Sequence, residues 1–193
     1  MFRTTAISAA MILAAGAAMA EPQEYVFDSS HSQIVFSYDH LGFSTTTGMF
    51  SGIQGTVSFD AEDPANSSVE ASFPIASLMT GDDERDQHFL SGDFFGSEAA
   101  APEVTFVSTS IEVTGDNTAL ITGDLTLNGV TRETVLDTVL NHQGEHPMAN
   151  KPWAGFDATT TLLRTDFNLG MFAPAIADEV EVAISVEVMT PDE

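Results

Sequence analysis

Over residues 179–188 the chain alternates strictly: Val180, Val182, Ile184, Val186 and Val188 fall between Glu179, Glu181, Ala183, Ser185 and Glu187. A period of two puts all five branched apolar side chains on one face of an extended strand and the carboxylates on the other. No helix could bury that pattern on one side. The same rhythm runs through Ile34, Phe36 and Tyr38, then Ile53, Val57 and Phe59, then Val69, Ala71, Phe73 and Ile75. Pro74 in the last of these predicts an edge or a bulge, because proline cannot donate to a strand ladder. Further strands fit residues 103–113, 118–127, 131–141 and 153–165. Gly115-Asp116-Asn117 and Asn128-Gly129 supply turns between consecutive ones, the second being a strong hairpin signal.

Antiparallel strands with one buried face and one wet face therefore account for nearly the whole chain, and the fold class is all-β. About eight strands is the number at which a barrel closes around side chains or one small ligand. One short helix is predicted at about residues 82–90. There Thr80 or Asp82 can cap, Asp82, Asp83 and Glu84 suit a positive helix N-terminus, and Arg85, His88 and Phe89 share a face.

The charge is lopsided, with 5 Lys and Arg against 29 Asp and Glu and a formal net charge of −24. Such a surface repels phosphate backbones and anionic membranes, which excludes nucleic acid as an expected partner. With no cysteine, disulfide frameworks, thiolate metal sites and cysteine nucleophiles are excluded too. Residues 1–20 read as a secretory signal: Arg3 supplies positive charge, an uncharged Ala-rich stretch follows, and Ala18 and Ala20 flank Met19. Cleavage is expected after Ala20. The remaining residues, 21–193, are expected to form one exported domain with no stable membrane insertion. A homodimer is left open.

No G-x-S-x-G elbow, Walker A loop or G-x-G-x-x-G occurs. The carboxylates fall mostly on outward strand positions or in turns, as a solvated surface requires. His142 and His146 stand four apart, but at a strand end and in a loop broken by Pro147, so no metal is assigned to them. His31 and His40 flank the first long strand, and His40 shares the inward parity of Ile34, Phe36 and Tyr38. The more informative feature is phenylalanine, at 14 residues against 1 Trp and 2 Tyr. Phe36, Phe43, Phe50, Phe73, Phe89, Phe94, Phe106 and Phe156 recur across nearly every element. A packed core would explain them, and so would an apolar tunnel inside the barrel.

Several separated blocks carry a family likeness. They are Asp28-Ser29-Ser30-His31-Ser32-Gln33-Ile34-Val35-Phe36 with Asp39-His40-Leu41-Gly42-Phe43 and Gly48-Met49-Phe50, then Arg85-Asp86-Gln87-His88-Phe89-Leu90-Ser91 with Asp93-Phe94-Phe95. Pro102-Glu103-Val104-Thr105-Phe106, Gly123 through Thr131, Arg164-Thr165-Asp166-Phe167 and Asp178-Glu179-Val180 complete the set. In this order they resemble the YceI-like proteins. The resemblance implies an extended, eight-stranded, antiparallel, lipocalin-like barrel, exported to the periplasm and holding a long isoprenoid or similar lipid. Two positions depart from the family pattern: Asn168 stands where Gly is expected, and Tyr38 where the residue is usually aliphatic.

On that reading Ile34, Phe36, Tyr38, Ile53, Val57, Phe73, Phe106, Phe156 and Leu162 are expected to line the tube, with Phe43, Phe89 and Phe94 near an opening. His40, Arg85, Asp86 and His88 are the polar candidates for placing a headgroup. For Arg85 and Asp86, the rival role is to tie the helix to the barrel. The expected activity is non-enzymatic carriage of a polyprenyl or quinone-precursor lipid, with no cofactor and no metal. A fatty acid or fatty amide carrier and a lipid-modifying enzyme are the alternatives.

Overall fold

The computed structural model describes residues 22–96 and 103–192, so the expected signal segment and its cleavage point lie outside the described residues. The expected eight-stranded antiparallel barrel is present, built among the described residues from ten strand segments: β1 (Gln23–Phe27), β2 (Gln33–His40), β3 (Ser44–Phe50), β4 (Gln54–Phe59), β5 (Ser68–Pro74), β6 (Glu103–Gly115), β7 (Thr118–Leu127), β8 (Val130–Glu145), β9 (Pro152–Leu163) and β10 (Glu179–Met189). They build eight walls. β10 pairs with β2 from Glu181 to Ser185 and with β1 at Val188 and Met189, along one edge. β1 and β2 are thus two lengths of a single wall, interrupted at residues 28–32. In the same way β3, paired with β2, and β4, paired with β1, form the second wall, interrupted at residues 51–53.

From β4 onward each strand pairs antiparallel with the next, through to β10, and the β1–β10 pairing closes the ring. Closure pairs both ends of the ring, and among the described residues the outer edge of β3 is met only at Met49, by a bridge to Met79. The longest strand, β8, has 16 residues. At about 3.4 Å per residue and a tilt of about 40°, that gives a wall about 40 Å tall. The extra segments escaped the sequence reading because β3, Ser-Thr-Thr-Thr-Gly-Met-Phe, carries almost no apolar alternation. Its pairing with β2 makes it a strand.

Local chemistry explains the corners. Asn128 and Gly129 both adopt positive φ, 51° and 72°, the conformation that a two-residue hairpin between β7 and β8 requires. Asn168 takes φ 59° at the end of a 3-10 turn (Arg164–Phe167), so it fills the place expected of Gly with the other residue type that tolerates the left-handed region. Pro74 lies neither on an edge nor at a bulge. It is the last residue of β5, opposite Glu103, where the ladder ends and the chain turns away into Ile75–Ser77. The single α-helix of the described residues, α1 (Asp83–Phe89), is capped by Asp82, whose carboxylate accepts the Arg85 N–H at 2.9 Å. No helix among the described residues is long and apolar enough to cross a membrane.

Candidate functional site

The inward face of β10 is Val180, Val182, Ile184, Val186 and Val188, yet only Val188 is fully buried. The other four point into the barrel and keep part of their surface accessible, because what lies in front of them is space. That space is a cavity of ≈ 350 Å³, within the range of roughly 300–1,000 Å³ typical of small-molecule sites. Among the described residues, buried apolar side chains form two clusters. Tyr25, Val57, Phe59, Ala154 and Val188 form one; Phe36, Tyr38 and Leu78 form the other.

Glycines keep the interior open. A Cβ on Gly48 would lie 2.3 Å from the Phe36 ring, and one on Gly123 would lie 2.4 Å from the Phe106 ring. Each ring therefore occupies the space over a residue with no side chain, and both line the cavity.

All nine residues expected in the tube line the cavity: Ile34, Phe36, Tyr38, Ile53, Val57, Phe73, Phe106, Phe156 and Leu162. Phe89 and Phe94 line it as well, and Phe94 also packs against Phe89 and Phe172. Phe43 does not. It follows the Leu41-Gly42 turn between β2 and β3 and is 90% exposed, so its expected place beside the cavity is corrected to a solvent-facing hairpin tip.

None of the four polar candidates lines the cavity either. Arg85 donates from Nε to Thr80 Oγ1 at 2.8 Å and from Nη2 to the Thr80 carbonyl at 3.1 Å, while Asp86 accepts the Thr80 N–H and hydroxyl. Those bonds tie α1 to the chain beside β3, which is the rival role. His88 contacts Asp93 at 3.1 Å and stacks edge-on to Phe94. His40, on inward parity, is the last residue of its strand and meets the loop at Ile176 instead of the cavity. Parity predicts a face only where there is interior behind it.

The sequence reading missed Arg164 as a wall residue. With Asp116 it is one of two charged side chains on the cavity wall among the described residues, at opposite ends of the barrel. Its guanidinium donates to the carbonyls of Ala177 (2.8 Å), Leu169 (2.7 Å), Met171 (3.1 Å) and Ile176 (3.1 Å), so it clamps the loop between β9 and β10. Burial works against its charge, and the nearby Asp178 and Tyr38 work in favour of it. Midway along the wall, Thr134 and Thr138 are buried and turn inward, with hydroxyls making only long contacts, 3.5 and 3.4 Å, to carbonyls of their own strand. The signal for both threonines was available, since they share parity with Leu136 and Leu140.

Comparison with known proteins agrees with this architecture. The protein YceI of Escherichia coli is 38% identical over 179 residues, covering 93% of this chain and 92% of its own length. Burkholderia cenocepacia BcnA superposes with a TM-score of 0.74 at 24% identity, covering 83% of this chain and 98% of BcnA. A domain from Saccharophagus degradans, described as polyisoprenoid-binding and implicated in plant cell wall breakdown, superposes at TM-score 0.62 and 16% identity, over 86% of this chain and 98% of its own. The YceI-like domain matches residues 25–188, from β1 to the end of β10. With the ring closed by those same two strands, the chain belongs to the YceI-like family.

Proposed function

We propose that this protein is a non-catalytic periplasmic carrier that holds a long-chain isoprenoid lipid, of polyprenyl or quinone-precursor type, inside the barrel. The observation that carries the reading is the ≈ 350 Å³ cavity with an apolar wall, where the Phe36 and Phe106 rings fill the space over Gly48 and Gly123. Each methylene-sized group of a lipid moved from water into such a wall gains about 0.8 kcal/mol. A few isoprene units therefore suffice for tight binding, while ordering a flexible tail limits the total. Selectivity then follows from shape, with the Thr134 and Thr138 hydroxyls as the polar atoms a ligand could reach along the wall. The name of the Saccharophagus degradans domain supports an isoprenoid over other lipids. The Ala-rich segment ending at Ala20 supports export.

Native mass spectrometry of the exported protein, followed by solvent extraction of its cargo, tests this. The expected result is a mass above that of residues 21–193, released as a polyprenyl-type lipid. Phe36→Asp and Phe106→Asp, each placing a carboxylate on the apolar wall, are expected to yield folded protein without cargo. Lipid retained undiminished in both would refute the assignment of the wall. An extracted fatty acid or amide would replace the isoprenoid reading.

A further inference from the structure

The break between β1 and β2, residues 28–32, lies along the same edge of β10 and is held there by its backbone. Asp28 N–H donates to the Glu187 carbonyl at 2.9 Å, and the Glu187 N–H donates to Ser32 Oγ at 3.1 Å. The Asp28 carboxylate is oriented by Ser30, whose N–H (2.9 Å) and hydroxyl (2.6 Å) both donate to Oδ1. Its other oxygen lies 2.6 Å from His31 Nδ1. Trp153 Nε1–H donates to Glu187 Oε2 at 2.7 Å, which aims that carboxylate as well. The result is that donor atoms of Asp28, His31 and Glu187 all lie within 4.8 Å of one another.

Among the described residues no Lys or Arg forms an ion pair with Asp28 or Glu187; the one basic partner of Asp28 is the imidazole itself. Asp28 is only 12% exposed, whereas His31 is 65% exposed. Two carboxylates, one of them largely shielded, thus converge on an imidazole whose hydrogen bond to Asp28 favours its charged form, and among the described residues no Lys or Arg adds to that charge. A groove runs beside them, lined by His31, His142, His146, Trp153 and Glu187, and gives the cluster access to solvent.

We propose that Asp28, His31 and Glu187 bind a divalent first-row transition cation of the Zn²⁺ type on the outside of the barrel. Ligand atoms on one tetrahedral Zn²⁺ stand about 3.3 Å apart, so closing this cluster requires side-chain adjustments and no movement of backbone. One imidazole with two carboxylates favours Zn²⁺, Cu²⁺ or Ni²⁺ over Mg²⁺ and Ca²⁺. In the metal-free protein His31 Nδ1–H donates to Asp28 Oδ2 at 2.6 Å, so a cation binds by displacing that proton, on a ring that is mostly exposed. His146 is not a ligand. Its Nδ1 accepts the N–H groups of Met148 and Ala149 at 3.3 and 3.1 Å, and its ring stacks on Trp153. Three protein ligands leave a coordination position open to water from the groove. The site is independent of the lipid reading, because Glu187 points away from the cavity.

The test is titration of chelator-treated protein with Zn²⁺ by calorimetry, with the emission of Trp153, the single tryptophan, read in parallel. One Zn²⁺ per chain is expected, with a change in emission at the same stoichiometry and no comparable response to Mg²⁺. His31→Ala and Glu187→Gln are each expected to weaken binding at least tenfold, the lower bound of roughly 10–100-fold seen even for groups behind the ligands. His146→Ala is expected to bind as the parent does. The proposal is overturned by a Kd weaker than about 1 mM, by an equal response to Mg²⁺, or by unchanged affinity in both His31→Ala and Glu187→Gln. Loss confined to His142→Ala would overturn it too.

Discussion

If glycines hold the interior open, then adding one methyl group at Gly48 should close part of it. Gly48 has no positive φ, so alanine carries no backbone strain there. The new Cβ would lie 2.3 Å from Phe36 Cζ and 2.7 Å from Cε1, against the 3.4 Å at which contact becomes ordinary. The Phe36 ring must therefore retreat by about 1.1 Å, and the open direction is toward the cavity, since Phe50 stands on its flank at a ring-centroid distance of 5.4 Å.

Overfilling a packed core costs about 1–3 kcal/mol. With a cavity to receive the ring, the loss in Gly48→Ala should stay near about 1 kcal/mol, or a Tm lower by about 3 °C in a chain of this size. The ligand bears the larger penalty. A ring advanced by that distance displaces about two methylene-sized groups, or about 1.6 kcal/mol, which is about 15-fold in Kd. Thermal unfolding gives the first quantity. Displacement of a fluorescent apolar probe by a polyprenol gives the second. Unchanged affinity combined with a stability loss above about 3 kcal/mol would mean that the ring had been forced into a packed wall, and the account of the hollow interior would fail.

Two further outcomes follow from the loop between β9 and β10. Arg164→Met preserves the aliphatic stem but leaves four carbonyls without their donor. It should cost about 3 kcal/mol and accelerate amide hydrogen exchange in residues 168–178, and a variant with unaltered exchange would show that the clamp is idle. Asp178 accepts the Thr165 hydroxyl at 2.6 Å and its N–H at 2.9 Å. The Thr165 hydroxyl, more than any other group, holds the carboxyl below its ordinary value against the opposing effect of burial, with help from the Thr165 N–H and the Arg164 charge. A carboxylate depressed in the folded state contributes stability above its unfolded pKa and loses it as pH falls through the folded one. Asp178→Asn should therefore lower stability at neutral pH and flatten its decline below about pH 4, measured by urea unfolding across pH. An acid limb as steep as in the parent would refute this.

What the amino-acid sequence determined by itself is local. The alternation at 180–188 assigns an inside and an outside to β10 because side chains on a strand must alternate. Asn128-Gly129 makes its turn because those two residue types tolerate positive φ. Asp82 starts α1 because its carboxylate reaches the Arg85 N–H. The nine wall residues were legible for the same reason, as each sits on a strand whose parity is set by its neighbours.

Tertiary structure decided whatever depends on a partner far away in the chain. β3 is a strand because β2 pairs with it, whereas its own run of threonines is silent. β1 and β2 are one wall because β10 accepts both. Arg85 and Asp86 meet Thr80, and Arg164 reaches four carbonyls across a loop, because a guanidinium or carboxylate bonds to whichever group the fold brings near it. Whether phenylalanines fill a barrel or line it depends on the residue each ring lies over. Phe36 covers Gly48 and Phe106 covers Gly123, and those ring-to-backbone contacts exist only once the strands are side by side.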